Sequence, residues 1–169
     1  MNIERWHPSV TVAAIVADAA GRYLLVEEHT PEGLRLNNPA GHLDPGETPL
    51  QGVVRETLEE TARVLTPQAL VGVYMARFTR PAAPGRAAED ITYLRFAYCG
   101  TVGEAIAGRA LDTPIVRTLW LDPEEIEARR DAWRSELVGR CIADHRAGRR
   151  FPLELVHADG SLVLPRVLG

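Results

Sequence analysis

Apolar runs separated by turn residues mark the strands of this chain. Residues Val10 to Ala17 are almost continuously apolar and partly β-branched, and a second apolar run follows at Tyr23 to Val26. The pattern predicts two sequential strands, and the unbroken apolar character of the first favours burial on both faces. Three more strands are predicted further along, at Leu70 to Phe78, Ile91 to Thr101 and Ile115 to Leu121.

A long helix is predicted in the middle of the chain. It follows a loop at Gly41 to Gly46 that is rich in Gly, Asp and Pro. Thr48 provides a hydroxyl cap, Pro49 occupies the first helical position, and Gln51 completes a capping box. We expect the helix to run from Pro49 to about Leu65, because Pro67 prevents much continuation.

The last third of the chain predicts a short helix, a long helix and a terminal hairpin. The short helix begins at Asp122, and apolar residues at helical spacing predict the long one over about Ala132 to Ala147. Leu153 to Val156 and Leu162 to Leu164 flank a turn at Asp159 and predict a hairpin. Strands thus alternate with helices, which favours an α/β fold with a sheet layered between helices.

Composition sets limits on the class of protein. The chain has 169 residues, so we expect one domain over residues 1–169. The net charge of −4 does not favour nucleic acid as a partner. No apolar run is long enough to predict a membrane span, and the first residues lack the apolar segment of a signal peptide, which favours a cytoplasmic protein. Cys99 and Cys141 are expected to be buried thiols.

Three carboxylates share one face of the predicted central helix. Glu56, Glu59 and Glu60 stand at i, i+3 and i+4, roughly opposite an apolar stripe. Like charges at these spacings repel each other by about 0.2–0.5 kcal/mol per pair, and a bound divalent cation would reverse that sign. Clustered carboxylate oxygens suit Mg²⁺ or Mn²⁺, and we expect a backbone carbonyl of the loop at Gly41, which precedes the helix, to join the coordination. A solvated acidic face is the alternative reading.

The acids belong to a longer spaced motif. Gly41 is followed after five residues by Glu47, and after seven more by the segment Arg55-Glu56-Thr57-Leu58-Glu59-Glu60-Thr61-Ala62. This spacing resembles the box of the Nudix family. The resemblance implies an α/β/α sandwich with a mixed sheet between helices. It also implies hydrolysis of a phosphoanhydride in a small-molecule substrate.

The resemblance implies roles for the motif residues. Glu59 and Glu60 are similar to the main metal ligands of the family, with the carbonyl of Gly41 as a further contact. Glu56 resembles the residue that acts as base or metal ligand. Arg55 resembles the residue that orients it, and Glu47 resembles a bracing acid near the start of the helix. Asp112 is a candidate extra metal ligand from outside the box, with an ordinary loop aspartate as the alternative.

Two positions near the end of the helix depart from the family pattern. The family usually has Gly where this chain has Ala62, and an apolar residue where it has Arg63. Because Ala pays about 1 kcal/mol for the left-handed conformation that such a Gly adopts, we expect the helix to continue to about Leu65. Neither departure removes a ligand.

Two further stretches narrow the resemblance to a subgroup. Leu36 to Leu43 and Leu111 to Trp120 are similar to the corresponding segments of NudJ-type phosphatases. This implies release of orthophosphate from nucleoside di- and triphosphates or from a thiamine-precursor diphosphate. The alternatives are an ADP-ribose or dinucleotide pyrophosphatase and a catalytically silent nucleotide sensor. The sequence is consistent with a monomer or a homodimer.

Residues outside the motif are candidates for substrate binding. Arginines in or beside the loop at Thr79 to Asp90 are able to meet phosphates bidentately, and two tyrosines are able to stack on a ring. Solvated arginines and core tyrosines are the alternatives. The candidates are Arg77, Arg80, Arg86, Tyr74 and Tyr93.

Overall fold

A computed structural model of the chain describes residues 6–163. The strands are β1 (Ser9–Ile15), β2 (Tyr23–Thr30), β3 (Gly33–Asn37), β4 (Ala40–His42), β5 (Leu65–Arg80), β6 (Glu89–Val102) and β7 (Ile115–Leu121). The helices are α1 (Pro49–Thr61), α2 (Pro123–Ala128) and α3 (Leu137–Arg146). Short 3₁₀ turns occupy Arg130–Ala132, Leu153–Leu155 and Gly160–Val163.

The strands form two sheets. A four-stranded sheet has the order β4-β1-β6-β5, in which β1 and β6 run parallel and the other pairs are antiparallel. A three-stranded antiparallel sheet has the order β3-β2-β7. The predicted α/β class with a mixed sheet is confirmed.

The central strand β1 divides the core into two apolar clusters. Val12 and Ala14 lie in a cluster with Val53 of α1, whereas Ala13 and Ile15 lie in a cluster with residues of the three-stranded sheet and α3. This alternation is the period-2 geometry of a strand covered on both faces. The predicted burial of β1 on both faces is therefore confirmed.

Helix α1 begins as predicted but ends earlier than expected. Thr48 and Gln51 form the capping box, and Pro49 is the first helical residue. The helix stops at Thr61, because Ala62 adopts the left-handed conformation at φ 55°. The expectation that α1 continues to Leu65 was wrong. Leu65 instead begins β5, where its side chain is buried in the cluster beneath α1.

The carboxyl-terminal third differs from the predicted pattern. The long helix predicted over Ala132 to Ala147 is the shorter α3. Trp133 lies outside it in an extended conformation, and its indole N–H donates to the carbonyl of Ile126 at 3.0 Å. Burying this large ring against α2 interrupts the helical path. The apolar residues at helical spacing are thus all used in packing, but only those from Leu137 onward lie in the helix.

The predicted terminal hairpin is wrong within the described residues. Leu153 and its neighbours form a 3₁₀ turn, and residues 160–163 form another. Phe151 exchanges backbone hydrogen bonds with Leu70 of β5, and Val156 packs with Leu153 against the cluster beneath α1. Packing on an existing surface replaces pairing between the two segments. Leu164, the last residue of the predicted hairpin, lies outside the described residues.

Two further sequence expectations concern the cysteines and membrane-spanning segments. Cys99 and Cys141 are free and buried, as predicted. Within residues 6–163, no helix has the length and apolar character needed to cross a membrane.

Ala62 provides a test of how α1 ends. A β-branched side chain tolerates the left-handed region poorly, so we expect Ala62→Val to cost about 2 kcal/mol and lower the Tm by about 4–8 °C. Ala62→Gly relieves backbone strain of about 1–2 kcal/mol but loses a buried methyl worth about 0.8 kcal/mol, so its Tm stays close to the parent. Calorimetry on the three proteins checks this. A valine variant that melts like the parent would indicate a right-handed Ala62.

His145 links α3 to β2 in a neutral form. Its Nε2 receives a hydrogen bond from Arg150 at 2.6 Å, and its Nδ1 lies 2.8 Å from the Tyr23 hydroxyl. Because arginine only donates, Nε2 must accept, and the ring proton then lies on Nδ1. Burial and the Arg150 charge lower the pKa of His145 from 6.5 to about 4. The fold therefore holds a histidine that resists protonation.

We expect this histidine to weaken the fold in mild acid. The unfolded chain binds the proton at a pKa of about 6.5 but the folded chain only near 4, so stability falls as pH drops between these values. Urea midpoints at pH 7 and pH 4.5 measure the loss. His145→Gln should lose less than the parent over that interval, by about 1 kcal/mol after allowance for solvent. His157→Gln, at an exposed position, should lose as much as the parent.

Candidate active site

The acidic face of α1 lies against strand β4. A Cβ added to Gly41 would stand only 2.1 Å from the carboxyl carbon of Glu56. Only a glycine at this position leaves room for the carboxylate where it stands. Steric contact with Glu56 therefore explains why the spaced motif begins with a glycine. The backbone of β4 and the side chain of Glu56 thus form one wall of the site.

Arg55 binds three of the motif's carboxylates at once. Its Nε and Nη2 donate to the two oxygens of Glu47 at 3.0 and 2.6 Å. Its Nη1 donates to Glu56 Oε1 at 2.8 Å and to Glu59 Oε2 at 2.9 Å. Its Nη2 also donates to the carbonyl of His42 at 2.9 Å. A guanidinium has five N–H donors, and each of them has an acceptor here.

These bonds shift the acid strength of both partners. Hydrogen bonds from Arg55 hold the pKa of Glu47 below its usual value, and Glu47 in turn raises the pKa of Arg55. Glu47 also accepts from the backbone N–H of Asp44 at 2.7 Å. A Cβ at Gly52 would lie 3.0 Å from Glu47 Oε1, so the glycine on the first turn of α1 lets this carboxylate approach. Glu47 is therefore held in its charged form.

Glu60 has a different environment from the other acids. Its Oε2 accepts from the backbone N–H of Ala40 at 2.8 Å. Burial, together with the nearby charges of Glu56, Glu28 and Asp112, raises its pKa to about 8. Burial also raises the pKa of Glu56. Unlike Glu47, Glu60 forms no ion pair with a basic side chain in the described residues, so a bound cation would favour its charged form.

The donor chemistry fits a hard divalent cation. Glu56, Glu59 and Glu60 offer carboxylate oxygens on one helix face, and Gly41 lies directly against this face. In residues 6–163, no three acid, histidine or cysteine side chains converge closely enough to form a ready metal cluster. The reason is visible in the contacts, because Arg55 holds Glu56 and Glu59 while Ala40 holds Glu60. A cation would compete with these contacts for the same oxygens.

Asp112 reaches the site from the segment before β7. Its backbone N–H donates to the carbonyl of Glu59 at 3.0 Å, which ties this segment to α1. Its side chain is exposed, and its charge contributes to the raised pKa of Glu60. The structure thus places the extra acid beside the box.

The three candidate arginines lie at the end of the β5–β6 hairpin where the loop joins the two strands. Arg77 forms a two-pronged ion pair with Asp90, with contacts of 2.7 and 2.6 Å. Arg80 pairs with Glu32 at 2.8 Å and with Glu89. The third arginine, at position 86, donates to a backbone carbonyl at 3.4 Å. Binding of phosphate by Arg77 or Arg80 would require these ion pairs to open.

The two candidate tyrosines lie in different places. Tyr74 packs against the cluster that includes α3, and its hydroxyl donates to Asp144 at 3.1 Å. Tyr93 lies next to His42 on β4, with 6.2 Å between the ring centres. Only Tyr93 of the two is therefore near the residues bound by Arg55.

Sequence reasoning missed a group of buried polar residues. Arg95 on β6 is 8% exposed, and Asn37 and Asn38 at the end of β3 are also buried. Each carries a buried side-chain nitrogen or oxygen without a hydrogen-bond partner within residues 6–163. The available signal was an arginine inside the apolar strand Ile91 to Thr101, where a charge demands an explanation.

The chain resembles known proteins over most of its length. Residues 7–141 match the family model described as the NUDIX domain. The phosphatases NudJ of Shigella boydii and of Escherichia coli K12 are each 33% identical over 149 residues, which cover 88% of this chain and 90% of each relative.

Solved structures agree with this match. A NUDIX hydrolase from Nitrosomonas europaea is 42% identical, with a TM-score of 0.77 over 90% of this chain and 98% of that one. The MutT protein from Methanosarcina mazei Go1 has 18% identity over 87% of this chain and 100% of its own, and its TM-score of 0.63 shows a shared fold. The spaced motif, the fold and these matches together establish that this chain belongs to the Nudix hydrolase family.

Proposed function

We propose that the protein is a metal-dependent phosphatase that cleaves phosphoanhydride bonds and releases orthophosphate. Its substrates would be nucleoside di- and triphosphates or a thiamine-precursor diphosphate. The observation that carries the proposal is the Arg55-centred network, which holds three carboxylates of one motif at the Gly41 edge of β4. The similarity to NudJ phosphatases supports release of orthophosphate over release of a monophosphate.

The acids of α1 would hold the metal. Glu59 and Glu60 are the main ligands in this proposal, with Glu56, the Gly41 carbonyl and Asp112 as further contacts. The cation would be Mg²⁺ or Mn²⁺, because all of these donors are hard oxygens. When bound, it would supply neutralisation of phosphate charge and a water of lowered pKa.

The chain's own groups would then position and deprotonate the nucleophile. Glu56 serves as the general base, since Oε1 is held by Arg55 and leaves Oε2 for the proton of an attacking water. Arg55 orients Glu56 through that bond, and Glu47 fixes Arg55 from its other side. A carboxylate held in one orientation accepts a proton with little rearrangement.

Substrate phosphate and ring contacts are also part of the proposal. Tyr93 is placed for ring contact because it lies beside His42, whose carbonyl is bound by Arg55. The arginines of the β5–β6 hairpin, Arg77, Arg80 and Arg86, would act only if their present partners exchange for phosphate. Tyr74, whose hydroxyl binds Asp144, would act through its ring face.

Product analysis tests the reaction type. The purified protein is incubated with Mg²⁺ and a panel of nucleoside diphosphates, ADP-ribose and a dinucleotide polyphosphate. We expect orthophosphate and a nucleoside monophosphate from the diphosphates, because attack at the terminal phosphorus releases a single phosphate. Chromatography with a phosphate assay separates the outcomes. Two monophosphates from ADP-ribose without orthophosphate would instead identify a pyrophosphatase.

Replacing one acid tests the site assignment. Glu59→Gln keeps the shape of the side chain but removes a metal-binding charge, so we expect metal-dependent turnover to fall by about 100-fold or more. The variant should keep a cooperative melt, because the helix loses one of several like charges and Gln retains good helix propensity. Turnover is measured with saturating Mg²⁺, and unfolding by circular dichroism.

A matched control separates the site from general charge effects. Glu124→Gln makes the same chemical change at an exposed position on α2. Its turnover should equal that of the parent. Near-normal turnover of Glu59→Gln would refute the metal-ligand assignment, whereas equal loss in both variants would indicate a nonspecific effect of charge.

A further inference from the structure

A polar row crosses the four-stranded sheet close to the active site. Thr11 of β1 is aligned with His42 of β4 on one side and with Arg95 of β6 on the other. Tyr74 of β5 is aligned with Arg95 and completes the row. Side chains at aligned positions of neighbouring strands point to the same face of a sheet. His42 thus connects the row to the residues that Arg55 binds.

Arg95 is the buried centre of this row. It is 8% exposed, and its Nε and Nη1 have no hydrogen-bond partner within the described residues 6–163. The thiol of Cys141 lies beside the guanidinium, and burial lowers the pKa of Arg95 while the charges of Glu28 and Glu60 raise it. An arginine is weakly hydrated but still requires acceptors when buried. Neither of these two nitrogens binds a carboxylate of the described residues.

Small apolar residues flank Arg95 along the sheet. Thr11 of β1 is aligned with Arg95 of β6, and two residues further along each strand Ala13 is aligned with Ala97. Both alanines are fully buried, and neither carries a polar side-chain atom. The acceptors that Arg95 lacks are therefore not supplied by these neighbours.

Unpartnered acceptors are buried at the neighbouring end of β3. Asn37 donates through Nδ2 to Glu28 at 3.1 Å, which leaves its Oδ1 without a partner. Asn38 Oδ1 and Thr11 Oγ1 are likewise buried and unpartnered. Glu28 connects the two sets, because it binds Asn37 and its charge acts on Arg95.

A ligand that satisfies these unpartnered donors and acceptors must carry both an acceptor and a donor atom. Arg95 offers only N–H donors, whereas the side-chain carbonyls of Asn37 and Asn38 offer only acceptors. A phosphate would satisfy Arg95 but not the carbonyls. A heterocycle with a ring N–H next to a carbonyl satisfies both, as in uracil or hypoxanthine.

We propose that Arg95 is a specificity-determining residue that binds the carbonyl oxygen of a keto heterocycle in the substrate, while Asn37 or Asn38 accepts from the adjacent ring N–H. This inference rests on the proposed phosphatase function. It assigns the organic part of the substrate to the side of the sheet where Arg95 is buried. The phosphates then extend past His42 to the acids of α1.

UDP and CDP form a matched pair for testing this proposal. They differ at one edge of the ring, where UDP has a carbonyl and N–H and CDP has an amino group and an unprotonated nitrogen. We expect the parent to prefer UDP by about 10-fold or more in kcat/KM, as one or two directional hydrogen bonds allow. Arg95→Met should remove most of this preference by raising the KM for UDP, with kcat nearly unchanged.

A second arginine supplies the control. Arg63 also carries a buried Nε without a partner in the described part of the chain, but it lies beyond α1 against Trp120. Arg63→Met makes the same substitution and should leave the UDP to CDP ratio unchanged. Loss of the ratio in both variants would indicate a general effect of loosened packing and would overturn the specific role of Arg95.

Two measurements keep the proposal testable if Arg95→Met does not fold. Arg95→Lys retains charge and most of the volume but loses the planar donor geometry, so it should lose part of the UDP preference. Calorimetric binding of UMP and CMP to the parent without metal needs no variant, and UMP should bind more tightly.

The outcomes distinguish the two proposals. Absence of orthophosphate from both UDP and CDP would refute the proposed phosphatase function. Turnover of both at equal kcat/KM, together with equal binding of UMP and CMP, would leave that function intact and overturn the role of Arg95. Its unpartnered donors would then be satisfied by water.

Discussion

The arrangement of the active site depends on one guanidinium. Arg55 uses all five of its N–H donors, four on carboxylate oxygens and one on a backbone carbonyl. Without it, Glu47, Glu56 and Glu59 would repel each other, since all are only partly exposed and carry the same charge. Because the guanidinium is planar and rigid, it fixes the directions of these acids as well as compensating their charge. A lysine would provide the charge but not the directions.

Strand β4 joins this network to the rest of the fold. Ala40 donates its backbone N–H to Glu60, Gly41 makes room for Glu56, and His42 accepts from Arg55. Three consecutive residues thus contact three different side chains of α1. The strand is held in turn by β1, whose side chains are buried on both faces. The position of the acids is therefore set by the core of the four-stranded sheet.

The sequence predicted those parts of the structure that depend on local patterns. The capping box at Thr48 and the apolar stripe define α1, and the motif spacing brings Gly41 and Glu47 to the acids. The end of α1 was not predictable from propensity, because Ala62 adopts a strained conformation that allows Leu65 to enter the core. The predicted hairpin failed for a similar reason, since contacts with β5 and with the cluster beneath α1 override pairing between short apolar segments.

The burial of Arg95 was not predictable from the residues around it in the sequence. An arginine within an apolar strand is consistent with an edge, a bulge or a buried site, and only the register of β6 against β1 places it beside Thr11 in the interior. Glu60 and Arg95 illustrate opposite problems in neighbouring parts of the structure. Glu60 is a partly buried carboxyl group whose pKa is raised by burial and by nearby acids, and Arg95 is a buried cation whose Nε and Nη1 have no partner within the described residues. In the two proposals a different part of one ligand complex meets each group: the cation contacts Glu60, and an acceptor oxygen of the substrate contacts Arg95.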